Sequence, residues 1–246
     1  AQQTGQRSPG PGGNITITAN SFEMKESAIA TDSSGGGKAG GFTISAREIH
    51  INESSFLQQI GINGTGGFVI KATDLHMSDS AQIVSETAVA PGGGVNITAD
   101  TIALKNGSTI KSQTFGDGRA GDIQITALHR LTLSDDPATS GAQLRPSGLF
   151  TNSLGGLGTL GKAGAITVST SQLVMTNGAR IDTTTQTAGR GGDATIIAGD
   201  TIFISGKRPT PAIEIDLFGL GGLSSGIFTR TVGQTPDSGS GGNITL

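Results

Sequence analysis

Residues 93–112 read GGVNITADTIALKNGSTIKS, and the reading of this stretch decides the fold. After the glycine pair, Val95 and Ile97 alternate with Asn96 and Thr98. Ile102 and Leu104 then alternate with Thr101 and Ala103, and Ile110 sits between Thr109 and Lys111. Period-two alternation turns one side of each segment toward a core and the other toward water, which is how a β-strand reads. A helix needs a 3.6-residue period, and glycine pairs beside Thr- and Ile-rich runs oppose it.

The same pattern recurs in both directions. It reads GGNITIT from Gly12, GGFTIS from Gly40, GGFVIK from Gly66, AGDIQIT from Ala120, AGAITVS from Ala163, GGDATII from Gly191 and GGNITL from Gly241. Successive second positions of the pair are 28, 26, 27, 27, 43, 28 and 50 residues apart. Five of these gaps agree within two residues, which marks a solenoid period with two insertions.

Each repeat holds three alternating segments. The first carries Ile15/Ile17, Phe42/Ile44, Phe68/Ile70, Val95/Ile97, Ile123/Ile125, Ile166/Val168, Ala194/Ile196 and Ile244/Leu246. The second carries Phe22/Met24, Ile49/Ile51, Leu75/Met77, Ile102/Leu104, Leu131/Leu133, Leu173/Met175 and Ile202/Ile204. The third centres on Ile29, Phe56, Ile83, Ile110, Leu149, Ile181 and Ile227. An antiparallel barrel or sandwich also uses short alternating strands, but three unequal segments in fixed register are what stacked coils require. One coil cannot bury its apolar face alone, so the fold must be stabilised by stacking.

The expectation is therefore an all-β, right-handed parallel β-helix spanning 1–246 as one domain. It has three short strands per coil in three sheets and about seven coils of 26–28 residues. At about 4.8 Å per coil the rod would be roughly 34 Å long. The corner glycines are expected to supply the backbone angles of tight turns.

Composition narrows the function. The chain has 41 glycines, no Trp, no Tyr and no Cys, and only 14% charged residues. A globular enzyme of this size normally shapes its core and pocket with several aromatics. The net charge is −3 and the 16 Lys and Arg are scattered, which disfavours a nucleic-acid partner. No run reaches the roughly 18 apolar residues of a transmembrane helix. Without cysteine there are no disulfides and no Cys-based metal sites, and no cofactor is expected.

The repeat form G-[DN]-I-x-I-x-A-x-x-[IL]-x-[LM]-x-x-G-[AS]-x-I-x-[ST], best seen at Gly94–Ser112 and Gly164–Thr183, resembles the filamentous-haemagglutinin-like exoproteins of two-partner secretion systems. The resemblance covers essentially the whole chain outside the insertions. It implies a rod exported through an outer-membrane transporter to the cell surface, where it acts in adhesion, aggregation or biofilm. The family's amino-terminal secretion module, with its NPNG-type motif, does not occur in this sequence. The chain starts near one first strand and ends on another without a visible cap. Further coils of a longer protein, or end-to-end pairing between copies, are therefore expected to cover those strands.

Candidate sites are few. His50, His76 and His129 fall within or just before second segments; His50 and His76 take equivalent outward positions one coil apart and are expected to stack at about 5 Å, but a metal site needs at least a third ligand and no nearby acid repeats in register. Acidic corners such as Gly116-Asp117-Gly118 and Gly191-Gly192-Asp193 do not repeat as the calcium-binding nonapeptide does. Asn-x-Ser/Thr triplets occur at Asn14, Asn52, Asn63, Asn96, Asn106 and Asn243, several of them as expected from composition; Asn14, Asn96 and Asn243 recur with the strand pattern and read as ladder-forming asparagines ahead of glycosylation acceptors.

A polysaccharide-degrading helix of tailspike or lyase type would need converging acids, drawn from Asp135, Asp136, Glu214 and Asp216, with aromatic or Arg faces beside them. The non-enzymatic reading is favoured. Its contact surface lies on the insertions, about 134–147 and 206–224, both between the second and third segments of a coil. They return to SGLFTNS from Ser147 and SGIFTRT from Ser225. Ile213, Ile215, Leu217, Phe218, Leu220 and Leu223, with Leu154, Leu157 and Leu160 of a neighbouring corner, form an expected apolar patch for self-association or for a host receptor or glycan.

Overall fold

Ile, Val, Thr and Phe dominate the alternating segments, and such β-branched and aromatic side chains suit a half-buried pleated surface. The computed structural model describes residues 10–33, 36–136, 146–155, 160–208, 224–232 and 239–246, whose regular structure is entirely strand. In chain order these are β1 (Ile15–Lys25), β2 (Ala28–Ser33), β3 (Phe42–Asn52), β4 (Phe56–Gly61), β5 (Phe68–Lys71), β6 (Asp74–Met77), β7 (Gln82–Thr87), β8 (Val95–Lys105), β9 (Thr109–Thr114), β10 (Ile123–Ser134), β11 (Gly148–Ser153), β12 (Ile166–Thr176), β13 (Arg180–Thr185), β14 (Ala194–Ser205), β15 (Gly226–Thr231) and β16 (Ile244–Thr245).

Each strand pairs in parallel with its counterparts on the adjoining coils, giving a β-solenoid of about 6 turns, close to the seven coils expected. The three segments per coil are present but form two hydrogen-bonded sheets. The first and second run together in a 9-stranded sheet, and the third forms a 7-stranded one. In β8, Val95, Ile97 and Ala99 point inward, Asp100 and Thr101 do not, and Ile102 and Leu104 point inward again. Two successive outward residues bend the strand, and ladder pairing continues through the bend instead of breaking. Only the coil carrying β5 and β6 splits there. A small residue lines the inside of the bend, as in the row Ala99–Ala127–Thr170. At β10 and β14 the bend takes one extra residue; the register shifts between Ala127 and Arg130, and between Thr170 and Gln172 of the partner strand.

The interior is a set of apolar rows. Phe42 and Phe68 stack at 4.8 Å between centroids, and the Ile44–Ile70–Ile97–Ile125–Val168–Ile196 row is buried throughout. The third-segment row holds one correction. Leu57, not Phe56, pairs with Ile29 and Ile83, and it is fully buried. Even spacing favours Phe56, but the preceding corner, with Glu53 and Ser54 both at positive φ, sets the pleat one residue later.

The second sheet also turns hydroxyls inward. Thr31, Gln59, Ser85, Ser112, Thr151, Thr183 and Thr229 lie in register. Thr31, Thr151, Thr183 and Thr229 donate to the carbonyls of Gly40, Gly164, Gly192 and Gly242 at 2.9, 2.6, 2.5 and 2.8 Å. Each bond ties a third segment to the corner that closes its own coil. Those corners also revise the role of glycine. Most of them have ordinary φ, and the demand is for close approach: a Cβ on Gly192 would lie 1.7 Å from the Gly164 carbonyl oxygen.

The [DN] of the repeat has a related task. Asn14 Oδ1, Asp122 Oδ1 and Asp193 Oδ1 accept from the backbone N–H of Gly41, Ala165 and Asn243 on the next coil, at 2.7, 2.6 and 2.8 Å. That gives Asn14 a ladder role. The bond from Asn243, followed by the Arg190 guanidinium, holds the Asp193 carboxyl below its ordinary value.

Candidate functional site

Both insertions leave from the corner between second and third segments, as the sequence indicates, and each has a polar clasp at its base. Asp135, 4% exposed, accepts from the backbone N–H of Gly107 at 3.0 Å and from the Ser147 hydroxyl at 2.6 Å. The Ser147 hydroxyl oxygen in turn accepts from Gly107 N–H at 2.9 Å. Ser225 repeats this two coils on, accepting from Gly178 N–H at 2.9 Å and donating to the Ser205 carbonyl at 2.7 Å. The serine that opens SGLFTNS and SGIFTRT thus closes the base of each insertion, as Ser55 closes the shorter corner of an uninterrupted coil by donating to the Asn52 carbonyl at 2.6 Å. Asp135 thus spends its carboxylate oxygens on Gly107 and Ser147.

Of the expected contact residues, Ile213, Ile215, Leu217, Phe218, Leu220, Leu223 and Leu157 lie outside the described residues, as do Glu214 and Asp216. Leu160 is exposed and Leu154 half-buried. Leu154 belongs to a feature the sequence did not single out, an open groove of about 210 Å³ on the outer face of the second sheet.

The groove follows from register. Outward positions of β11, β13 and β15 form a grid: Phe150 and Asn152 on one coil, Arg180, Asp182 and Thr184 on the next, Phe228 and Arg230 on the third. Asp182 therefore has a phenylalanine beside it on each flanking coil. Its floor is β13, continued by Gln186; Phe150, Asn152 and Leu154 form one wall, and Arg230 and Val232 the other.

Outward side chains of a solenoid normally meet water, yet Arg180, Asp182 and Thr184 are 7%, 4% and 8% exposed. Charged groups are seldom buried unless paired. Asp182 meets that demand through an ion pair with Arg230 and a hydrogen bond from the Thr184 hydroxyl. The Phe228 ring lies under both guanidiniums, 5.3 Å from Arg180 Cζ and 4.8 Å from Arg230 Cζ. The ring draws the cations by its quadrupole and covers them from solvent. By contrast the carboxamides of Asn152 and Gln186, both half-buried at the groove, have no hydrogen-bond partner among the described residues.

Chemically, the groove offers planar amides, one buried carboxylate–guanidinium pair and aromatic faces. Among the described residues that line the groove, the carboxylate is that of Asp182. The arrangement suits binding. The signal in the sequence was the run of outward residues on three successive third segments, Phe/Asn, Arg/Asp/Thr and Phe/Arg. It is visible only once Gly148–Ser153, Arg180–Thr185 and Gly226–Thr231 are aligned across two insertions.

His50 and His76 stack as expected, with centroids 5.3 Å apart and planes 8° from parallel. Burial, then the charge of His50, pushes the His76 imidazole below its ordinary value. Among the described residues no group of three His, Cys, Asp or Glu is placed to hold a metal ion, and no helix is long and apolar enough to cross a membrane. Comparison with protein-family models, with curated proteins and with solved structures finds no match to this chain.

Proposed function

We propose that this chain is the rigid rod of an extracellular structural and adhesive surface protein of the filamentous-haemagglutinin-like kind, exported by two-partner secretion and devoid of catalysis. The observation that carries the reading is the unbroken set of interior rows. Apolar rows and the corner side chains Asn14, Asp122 and Asp193 link coil to coil, and the inward hydroxyls tie each third segment to the corner of its own coil, so the stack is held together along its whole axis. The corner role of Asn14, Asp122 and Asp193 gives a mechanical meaning to the [DN] of the repeat form on which the resemblance rests. Its partners on this reading are a cell-surface receptor or glycan, or further copies of itself, with an outer-membrane transporter acting during export.

Immunogold labelling and fractionation of producing cells test the reading. Label at the cell surface, and loss of cell–cell or cell–substrate adhesion when the coils are deleted from the gene, is the expected result. Protein confined to the cell interior would end it.

A second reading, a glycan-recognising β-helix, is favoured by one observation: the groove over β13, where amides without partners adjoin a buried ion pair and an aromatic wall. The two readings are compatible, since an adhesive rod needs a recognition element. Screening the purified chain on an array of immobilised oligosaccharides tests this second reading, and uniform silence across the array would count against it.

A further inference from the structure

From the geometry of this groove, and resting on the glycan-recognising reading, we infer that the β13 groove is a subsite for a single pyranose residue. A sugar ring has two kinds of surface. Its edge carries adjacent hydroxyls that both donate and accept, and at least one face is a patch of C–H groups. A site for it therefore needs planar side chains able to donate and accept in pairs, held rigid, beside an aromatic face. The groove has this set. Asn152 and Gln186 each present a carbonyl oxygen and an NH2 group, two acceptor sites and two donors, on coils fixed by backbone ladders. Phe150 supplies the face on the wall that Asn152 also lines.

The buried pair beneath them acts as a positioning element. Asp182 holds Arg230 and Thr184 in place, so the floor and one wall are set before a ligand arrives, which lowers the ordering cost at binding. The volume, about 210 Å³, lies below the roughly 300–1,000 Å³ of pockets for drug-sized ligands. It suits one ring of a polymer whose neighbours remain outside.

The test uses the whole chain and saturation-transfer NMR with the methyl glycosides of glucose, galactose, mannose, N-acetylglucosamine and glucuronic acid. At least one should take up saturation at its ring protons. The double variant Asn152→Ala/Gln186→Ala should then weaken that glycoside at least tenfold with an unchanged melting temperature, because neither amide is bonded within the fold. Phe150→Leu should weaken it as well while leaving the amides in place. Binding that survives the double variant at parental affinity would overturn this subsite while leaving the glycan-recognising reading intact. No saturation transfer from any of the five glycosides would overturn the subsite, and an array silent as well would take the reading with it.

Discussion

The outer faces of the two sheets have opposite characters. On the long sheet the outward row of the first segments is Thr16, Thr43, Val69, Asn96, Gln124, Thr167 and Thr195, open to solvent and, Val69 apart, polar. On the second sheet, from β9 to β13, outward Thr109, Lys111, Arg180, Asp182 and Thr184 are all buried. The inward rows differ as well, apolar along the long sheet and partly hydroxyl along the second, but neither kind dictates what stands on the outer face. A repeat that needs only to stand up can leave its exterior to composition. A face where Arg and Asp are withdrawn from water and paired has been given a local structure of its own.

The contrast is sharpest at Asp182. Replacing it with Ala leaves Arg230 and Thr184 without their partner, and breaking a buried ion pair from one side costs about 3–5 kcal/mol. Gln124→Ala, at an exposed position of the long sheet, should fall within about 0.5 kcal/mol of the parent. Urea denaturation of both variants checks this. Equal midpoints would mean that the two faces do not differ energetically.

Phe228 gives the next largest effect. With two guanidiniums over its ring, Phe228→Leu should cost about 1–2 kcal/mol, whereas Arg130→Ala on the long sheet removes only exposed bonds to Gln172 and should lie near zero. A melting curve for Phe228→Leu that overlays the parent would show that ring and cations are merely adjacent. Thr183→Val sharpens the comparison from the other side of the same strand. It deletes the hydroxyl bond to the Gly192 carbonyl at 2.5 Å and should cost about 1 kcal/mol, distinctly less than Asp182→Ala one residue away. A larger loss at Thr183 than at Asp182 would place the strength of β13 in its corner bond instead of its outer face.

Much of the fold was legible because stacking makes each coil test the others. A row such as Ile44–Ile70–Ile97 announces itself through repetition, and two insertions could not hide it. Phe56 misled because even spacing is not register; the corner before it settles which residue points inward. The number of sheets depended on whether ladder bonds survive a bend, which alternation alone does not encode. The inward hydroxyl row was overlooked because Thr and Ser read as outward residues when the core is sought through apolar ones. The groove was the least legible feature. Its members occur once each, on coils separated by insertions, and a method built on repetition passes over what does not repeat.

The smallest expected effect concerns the stacked histidines of the long sheet. His76 is held below its ordinary value of 6.5 first by burial and then by His50, with Lys105 acting in the same direction and Asp74 opposing. The unfolded chain therefore binds the proton more readily than the folded one. The resulting stability is fully present above about pH 6.5 and is lost as pH falls through that value toward the folded one. Because the stack is partly solvated, the loss should be a few tenths of a kcal/mol. His50→Gln removes the like-charge component but leaves the burial, so it should narrow, without abolishing, the difference in stability between pH 7.5 and pH 5.5. His76→Gln should remove it altogether. If both variants show the parental pH dependence, the drop in acid arises elsewhere. The long sheet's outer face would then be as indifferent at His50 and His76 as it is along its threonines, and the second sheet would hold every outward interaction that matters to stability.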